Sequence, residues 1–283
     1  VRYWLLPNVE RYREDIVAGM SRAVGLKVSV GAIEAGWSGL RPQLLFAQVR
    51  VYDRDGREAL ALPAVESVVS WRSLIEGDLR LHSLAIDGPR LSLRRDAQGA
   101  IYVAGIKLAQ DSAEGRLTDW LLAQNEIQIR NAEIDWLDEQ RGAPPLALTA
   151  LDFRLRNDGD EHAIGLSARP PRELGSGLEL RAELIGRSVT EPGAWNGRVF
   201  VELGYTDLAG WRAWLDYPME IRKGQGAVRL WVSLGQGKIT RATADLALTD
   251  VAARLASDLP VLEVESVRGR LHVAGDADVP HDA

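Results

Sequence analysis

The sequence contains no cysteine. That absence removes disulfides, thiolate nucleophiles and Cys-ligated zinc or iron–sulfur centres together, so the fold stands on burial and backbone pairing alone. Histidine is scarce as well, and His82, His162, His272 and His281 never fall within metal-ligand spacing of one another. Lys27, Lys107, Lys223 and Lys238 are the only lysines among 34 basic residues, and a net charge of -6 leaves no basic footprint for nucleic acid. No internal stretch approaches the roughly 20 continuous apolar residues of a membrane span, and no signal peptide is visible.

What is present is a chain of 283 residues, 46% apolar, long enough to bury a core and too apolar to stay disordered. It opens on Arg2-Tyr3-Trp4-Leu5-Leu6-Pro7, which reads as the end of a removed segment. Tyr3 and Trp4 side by side suit a membrane interface, where each ring has one apolar and one wet end. Asn8 then offers an N-cap, Glu10, Glu14 and Asp15 suit the first turns, and Val9, Tyr12, Ile16, Met20 and Ala23 recur at helical spacing before Gly25. A helix is expected near residues 8–24.

From Leu26 onward the apolar period becomes two. Strand patterns cover Lys27–Glu34, Leu44–Tyr52, Leu79–Ile86, Arg90–Arg94, Glu126–Trp136, Leu146–Arg156, Ala163–Ala168, Leu178–Leu184, Arg198–Leu203, Ala227–Leu234, Ile239–Leu248 and Leu262–Val273. Asp53-Arg54-Asp55-Gly56, Asp87-Gly88-Pro89, Asn157-Asp158-Gly159-Asp160 and Gly235-Gln236-Gly237 supply residues tolerant of positive φ, so successive strands are expected to be antiparallel neighbours. Helical spacing returns only near 117–124 and 207–216. In Leu178-Glu179-Leu180-Arg181-Ala182-Glu183-Leu184 one face is aliphatic and the other charged, and most strands repeat that division. Two packed sheets and a single curved sheet both produce this pattern.

Catalytic motifs fail on inspection. Gly235-Gln236-Gly237-Lys238-Ile239-Thr240 lacks the first P-loop glycine, where Val232 stands, and has Ile239 where a magnesium-binding hydroxyl belongs. Asp53-Arg54-Asp55-Gly56 and Asn157-Asp158-Gly159-Asp160 do not continue as calcium loops, and Asp276, Asp278, His281 and Asp282 read as a polar tail. No nucleophile elbow occurs. Of nine tryptophans, Trp136 and Trp231 lie in aliphatic strands and Trp211 and Trp214 sit three apart, which reads as core or lid packing ahead of a sugar-stacking surface. No catalytic residue, metal or cofactor is assigned.

The order of several short motifs points to a family. Val65 to Leu93 contains Ser73-Leu74-Ile75-Glu76-Gly77, an alternating strand and Gly88-Pro89, followed by Gly99 and Tyr102-Val103; upstream stand Val28-Ser29-Val30-Gly31 and Trp37-Ser38-Gly39-Leu40-Arg41-Pro42. This resembles the AsmA-like proteins of Gram-negative envelopes. Trp195-Asn196-Gly197-Arg198-Val199, Asp207-Leu208 with Trp211, Gly224-Gln225-Gly226, Leu230-Trp231, and Asp258-Leu259-Pro260 followed by Gly269-Arg270-Leu271 resemble its YhdP branch. The resemblance covers nearly the whole chain and implies bridge-like lipid carriers, with an N-terminal transmembrane helix and repeated β-units across the periplasm. It divides the chain into a membrane-proximal helix (1–25), an AsmA-like β unit (26–137) and a continuing β-groove unit (138–283).

A curved, mainly β, antiparallel meander forming an apolar groove is therefore expected. Its lining candidates are Leu79, Leu81, Leu91, Leu93, Ile127, Ile129, Leu151, Phe153, Leu155, Leu178, Leu180, Leu184, Val199, Val201, Val228, Leu230 and Val232, with Tyr3 and Trp4 at the membrane interface. The resemblance implies phospholipid as ligand, and as further partners the inner membrane, through a missing N-terminal helix, and the remaining C-terminal groove of the same parent chain. Two other classes stay open: a scaffold binding outer-membrane polypeptides by strand addition, and a carbohydrate-binding β module.

Overall fold

The computed structural model describes residues 11–24, 26–52, 56–70, 81–108, 122–187, 192–217 and 219–274. The chain opens with α1 (Arg13–Val24), in which Glu14 and Asp15 in the first turn and Arg22 in the last complement the helix dipole. The expected start at Asn8 lies outside the described residues, as do Tyr3, Trp4, Leu79, Ser73 to Gly77 and residues 117–121 of the helical spacing near 117–124.

Sixteen strands follow among the described residues. The N-terminal group is β1 (Val28–Ser29), β2 (Ala32–Ser38), β3 (Arg41–Tyr52), β4 (Glu58–Val69), β5 (Leu81–Asp87), β6 (Arg90–Arg95), β7 (Ile101–Val103) and β8 (Ile106–Leu108). Then come β9 (Glu126–Asp138), β10 (Leu146–Asp158), β11 (Glu161–Arg169), β12 (Leu178–Ile185), β13 (Asn196–Asp207), β14 (Glu220–Gly235), β15 (Lys238–Arg254) and β16 (Leu262–Ala274). They form one curved, unclosed sheet, with main order β1-β3-β4-β5-β9-β10-β11-β12-β13-β14-β15-β16. Among the described residues no second sheet packs on it, which decides between the two arrangements that the one-faced strands allow.

From β9 onward each strand is the antiparallel neighbour of the next, and tight turns of suitable chemistry join β10 to β11, at Gly159 (φ 60), and β14 to β15. Gln236 (φ 51) and Gly237 (φ 71) give the paired positive dihedrals that match strand twist between β14 and β15. The Asp87-Gly88-Pro89 expectation needs correction. Gly88 (φ 61) does not turn the chain back; β5 and β6 run end to end, both parallel to β9, with Leu84–Asp87 beside Ile127–Arg130 and Arg90–Arg95 beside Glu133–Asp138. Gly88 N–H donates to Arg130 O, and Pro89 O accepts from Glu133 N–H, so backbone pairing with β9 carries across the jog. β4, β7 and β8 were not among the strand patterns read from periodicity; in β4, Pro63 and the small Ala61 and Ala64 blur the alternation.

The near-Trp211 segment forms only a short 3-10 turn, Gly210–Ala213. Its Trp211 is buried, and the indole Nε1–H points at Leu174 O and Thr206 Oγ1, both 3.0 Å away. Trp231 departs from its expected core role. It is 38% exposed on the charged face, 5.3 Å from the Phe200 ring and 5.9 Å from the Arg270 guanidinium.

Candidate functional site

Residues directly opposite one another in a ladder project to the same side of a sheet. Following register from strand to strand, one row runs Ile33, Phe46, Val65, Ile86, Ile129, Phe153, Leu166, Leu180, Val201, Leu230, Ala244 and Leu271. The neighbouring row runs Ala35, Leu44, Ser67, Leu84, Ile127, Leu155, Ile164, Ala182, Val199, Val232, Ala242 and Val273. Both cross twelve of the sixteen described strands, and Ser67 is their sole polar member. A shorter row, Ala168, Leu178, Leu203, Val228 and Leu246, runs alongside.

Strand bulges keep this face apolar where the sequence period slips. Phe46 to Val49, Ile129 to Ala132 and Leu148 to Leu151 are each three residues apart, a spacing that would turn the second side chain to the other face of a regular strand. Gln48 (φ 54), Asn131 (φ 49) and Ala150 (φ 46) adopt left-handed conformations inside those intervals. Val49 and Leu151 are consequently buried in apolar clusters.

Cover over the face is uneven. Ile16, Val17 and Met20 of α1 pack on the cluster of Val28, Ile33, Phe46, Val49, Val51, Leu62 and Val65. Ser21 Oγ accepts from Val28 N–H at 3.0 Å, and the Arg13 guanidinium donates to Gly31 O at 2.6 Å, holding the helix on that end. One margin of β9–β10 is covered by Leu174 and Trp211 against Leu146, with Trp136, Trp214 and Tyr217 around them. Near the other ends of β10 and β11, buried His162 stacks on Trp195 at 5.3 Å; its Nδ1 lies 2.7 Å from Asn157 Oδ1 and its Nε2 2.8 Å from Gly186 O. Between these regions the row opens. Phe46 is 5% exposed under the helix, Ile129 through Leu230 are half-buried, and Leu271 on β16 is 55% exposed.

The lining candidates from Ile127 to Val232 occupy this face: Ile129, Phe153, Leu180, Val201 and Leu230 in the first row, Ile127, Leu155, Val199 and Val232 in the second, Leu178 and Val228 in the third. Leu151 lies opposite Ala132, and Leu184 opposite His162 and Gly197. Leu91 and Leu93 pair with Ile134 and Trp136, and Leu81 with Val69. Sequence reasoning missed Ile33, Phe46, Val65, Leu166, Ala244 and Leu271; the period-two pattern in β2, β3, β11 and β16 was the available signal, and β4 gave a weak one.

The opposite face is charged and internally paired. Arg198 meets Glu183 at 2.7 Å, Arg229 meets Glu202 at 3.0 Å and Arg270 meets Asp245 at 2.6 Å. The Arg270 hydrogen bonds hold the Asp245 carboxyl below its ordinary range. Exposed pairs of this kind contribute little stability each, and they keep this side in water. Among the described residues no cluster of acidic or histidine side chains is arranged to hold a metal, and no helix is long and apolar enough to cross a membrane.

The family model described as YhdP protein matches residues 1–278. The chain belongs to the YhdP family. It is also similar to the intermembrane phospholipid transporter YhdP of Escherichia coli (strain K12), at 24% identity over 240 residues, covering 83% of this chain and 18% of that protein. The chain thus spans under a fifth of the length of the curated YhdP relative it matches. No solved structure matches it.

Proposed function

We propose that this chain is a segment of an intermembrane phospholipid conduit, sheltering acyl chains on its apolar face. The observation that carries the reading is the pair of aliphatic rows crossing twelve strands with no second sheet over them among the described residues. Leaving a bilayer for water costs about 0.8 kcal/mol per methylene, so a lipid with two chains of about sixteen carbons resists desorption by well over 10 kcal/mol. A continuous apolar strip lowers that barrier along its length while the headgroup stays in water. The work is transfer without bond chemistry, and it requires no catalytic residue.

The name of the E. coli relative supports phospholipid as the cargo. In this reading the two β units, 26–137 and 138–283, are successive stretches of one groove. The parent protein is anchored in the inner membrane beyond Tyr3 and Trp4, and lies in the periplasm. β16 has one long edge unpaired among the described residues, with Leu262, Leu271 and Val273 exposed, and further strands of the parent chain continue the sheet there.

The test is mass spectrometry of the gently purified protein, followed by crosslinking with a phospholipid carrying a photoreactive group in its acyl chain. Copurified phospholipid and labelled peptides from β10 to β15 are expected. A lipid-free protein whose labels fall on the charged face would overturn the reading.

A further inference from the structure

Beside the 3-10 turn, a cavity of about 490 Å³ opens between residues 212–220 and the end of β15. Its walls combine Arg212, Arg254 and Glu220 with Leu215, Tyr217 and Leu255. The charges do not cancel. Glu220 Oε1 accepts from Arg222 Nε–H at 2.9 Å, whereas Arg254 Nε lies 3.7 Å from Glu220 Oε2, beyond hydrogen-bond range. That Arg254 Nε is buried and has no hydrogen-bond partner. Arg212 has no ion pair among the described residues. Asp216, also on the wall, is engaged by Arg141 at 2.7 Å, so its charge is already answered. Two guanidinium groups on the wall, Arg212 and Arg254, therefore share one remaining carboxylate that Arg222, outside the cavity, already engages; Arg222's hydrogen bond first, then Arg254 and Arg212, hold Glu220 below the usual carboxylate range.

An orphaned buried guanidinium donor beside surplus positive charge calls for an anion with several acceptor oxygens. The apolar wall narrows the class. Leu215 and Leu255 are 45% and 54% exposed, and Tyr217 packs into the Trp211–Leu146 cluster along the margin of the apolar face. Tyr217 O–H is committed to Leu208 O at 3.0 Å.

We propose that this cavity binds the phosphodiester of a net-anionic phospholipid headgroup, with Arg254 and Arg212 as its contacts. The proposal rests on the acyl-chain reading of the apolar face and adds headgroup selection to it. A zwitterionic headgroup brings its own cation and gains less from the surplus charge.

The test uses the full 283-residue chain with vesicles carrying either phosphatidylglycerol or phosphatidylcholine, each with the same photoreactive acyl chain. The unaltered protein is expected to label phosphatidylglycerol about tenfold more efficiently, the scale of one or two charge-assisted hydrogen bonds. In the double variant Arg212→Gln, Arg254→Gln that preference falls to parity, with phosphatidylcholine labelling unchanged. Arg212→Gln alone, at an exposed site, is the second variant should the double one fail to melt cooperatively, and it should lose a measurable part of the preference. Equal labelling of both lipids by the unaltered protein, or a preference that survives both variants, overturns the headgroup site and leaves the acyl-chain reading intact. Absence of acyl labelling with either lipid overturns the acyl-chain reading itself. Inorganic phosphate, titrated alone, separates the sources: binding that the double variant abolishes, without discrimination between the lipids, identifies a free-anion site and overturns the proposal.

Discussion

Arg95 grips Asp138 with two guanidinium nitrogens, Nε lying 2.9 Å from Oδ1, although the Asp138 side chain is only 1% exposed. Arg141 N–H also donates to Oδ1 at 3.1 Å, so the last residue of β9 is tied to both β6 and the following turn. The Arg95 hydrogen bonds pull the Asp138 carboxyl below its ordinary value of 3.8. A carboxyl depressed in the folded state stabilises fully above the unfolded value and loses that contribution as pH falls through the folded one. Urea unfolding should therefore give constant stability from neutral pH down to about 5 and a decline at more acidic pH. Asp138→Asn should flatten part of that decline and cost about 2 kcal/mol at neutral pH, since Arg95 is left half-desolvated without its partner. An unchanged acid slope in the variant would count against this pair.

The second prediction concerns backbone strain. Ala150 is held at φ 46, a left-handed conformation that a Cβ disfavours by about 1 kcal/mol. Ala150→Gly should raise the melting temperature by a few degrees in a chain of this size, and Ala150→Val should lower it. Equal melting of both variants would mean that β10 does not bulge at this position.

The uneven cover over the apolar face predicts two different responses to charge. Phe46→Asp puts a carboxylate beneath α1 against Val65 and Ile33, with no partner within the cluster, and should cost several kcal/mol and unfold the N-terminal strands. Leu180→Arg and Leu230→Asp, each opposite Val201 on the half-exposed stretch, should melt near the unaltered protein while losing acyl-chain labelling. Circular dichroism and crosslinking on the same samples separate these outcomes. Collapse of all three would point to a face that is sealed in solution.

His162 supplies the fourth. Asn157 Nδ2–H donates to Gln124 O at 2.7 Å, which fixes Oδ1 toward the imidazole. His162→Phe keeps the stack on Trp195 but removes both ring nitrogens, and with them the one N–H that a neutral imidazole donates to Asn157 Oδ1 or Gly186 O, and should cost about 1–3 kcal/mol in chemical denaturation. A neutral result would show that water replaces the ring nitrogens at that margin.

Much of this architecture is legible in the sequence because a half-buried strand writes its two faces alternately along the chain. Leu178, Leu180, Ala182 and Leu184 needed only the period of two, and their partners on β13 confirm the face. Legibility ends where geometry is set by distant strands. Gly88-Pro89 has the composition of a hairpin turn, yet β9 captures both flanking strands, and no local signal near Asp87 announces a partner beyond residue 125. Trp231 sits among Leu230 and Val232 in the chain, and only its parity assigns it to the charged face. The Arg212–Arg254 cavity joins segments that carry no motif, so a sequence pattern had nothing to reveal there.

The two strands lying end to end along β9 also constrain the order in which the molecule can assemble. Antiparallel neighbours that follow one another in the chain zip up locally, and β9 through β16 can do so one strand after another as the chain emerges. β5 pairs locally with β4 and β6 with β7, but the other edge of each waits for β9, and that parallel seam closes only after the intervening stretch has been made. Until then the N-terminal strands present an uncovered edge and an apolar face whose next strand is missing. Truncation before residue 138 should consequently yield an aggregating product, whereas truncation at a later hairpin removes only the end of a sheet already begun.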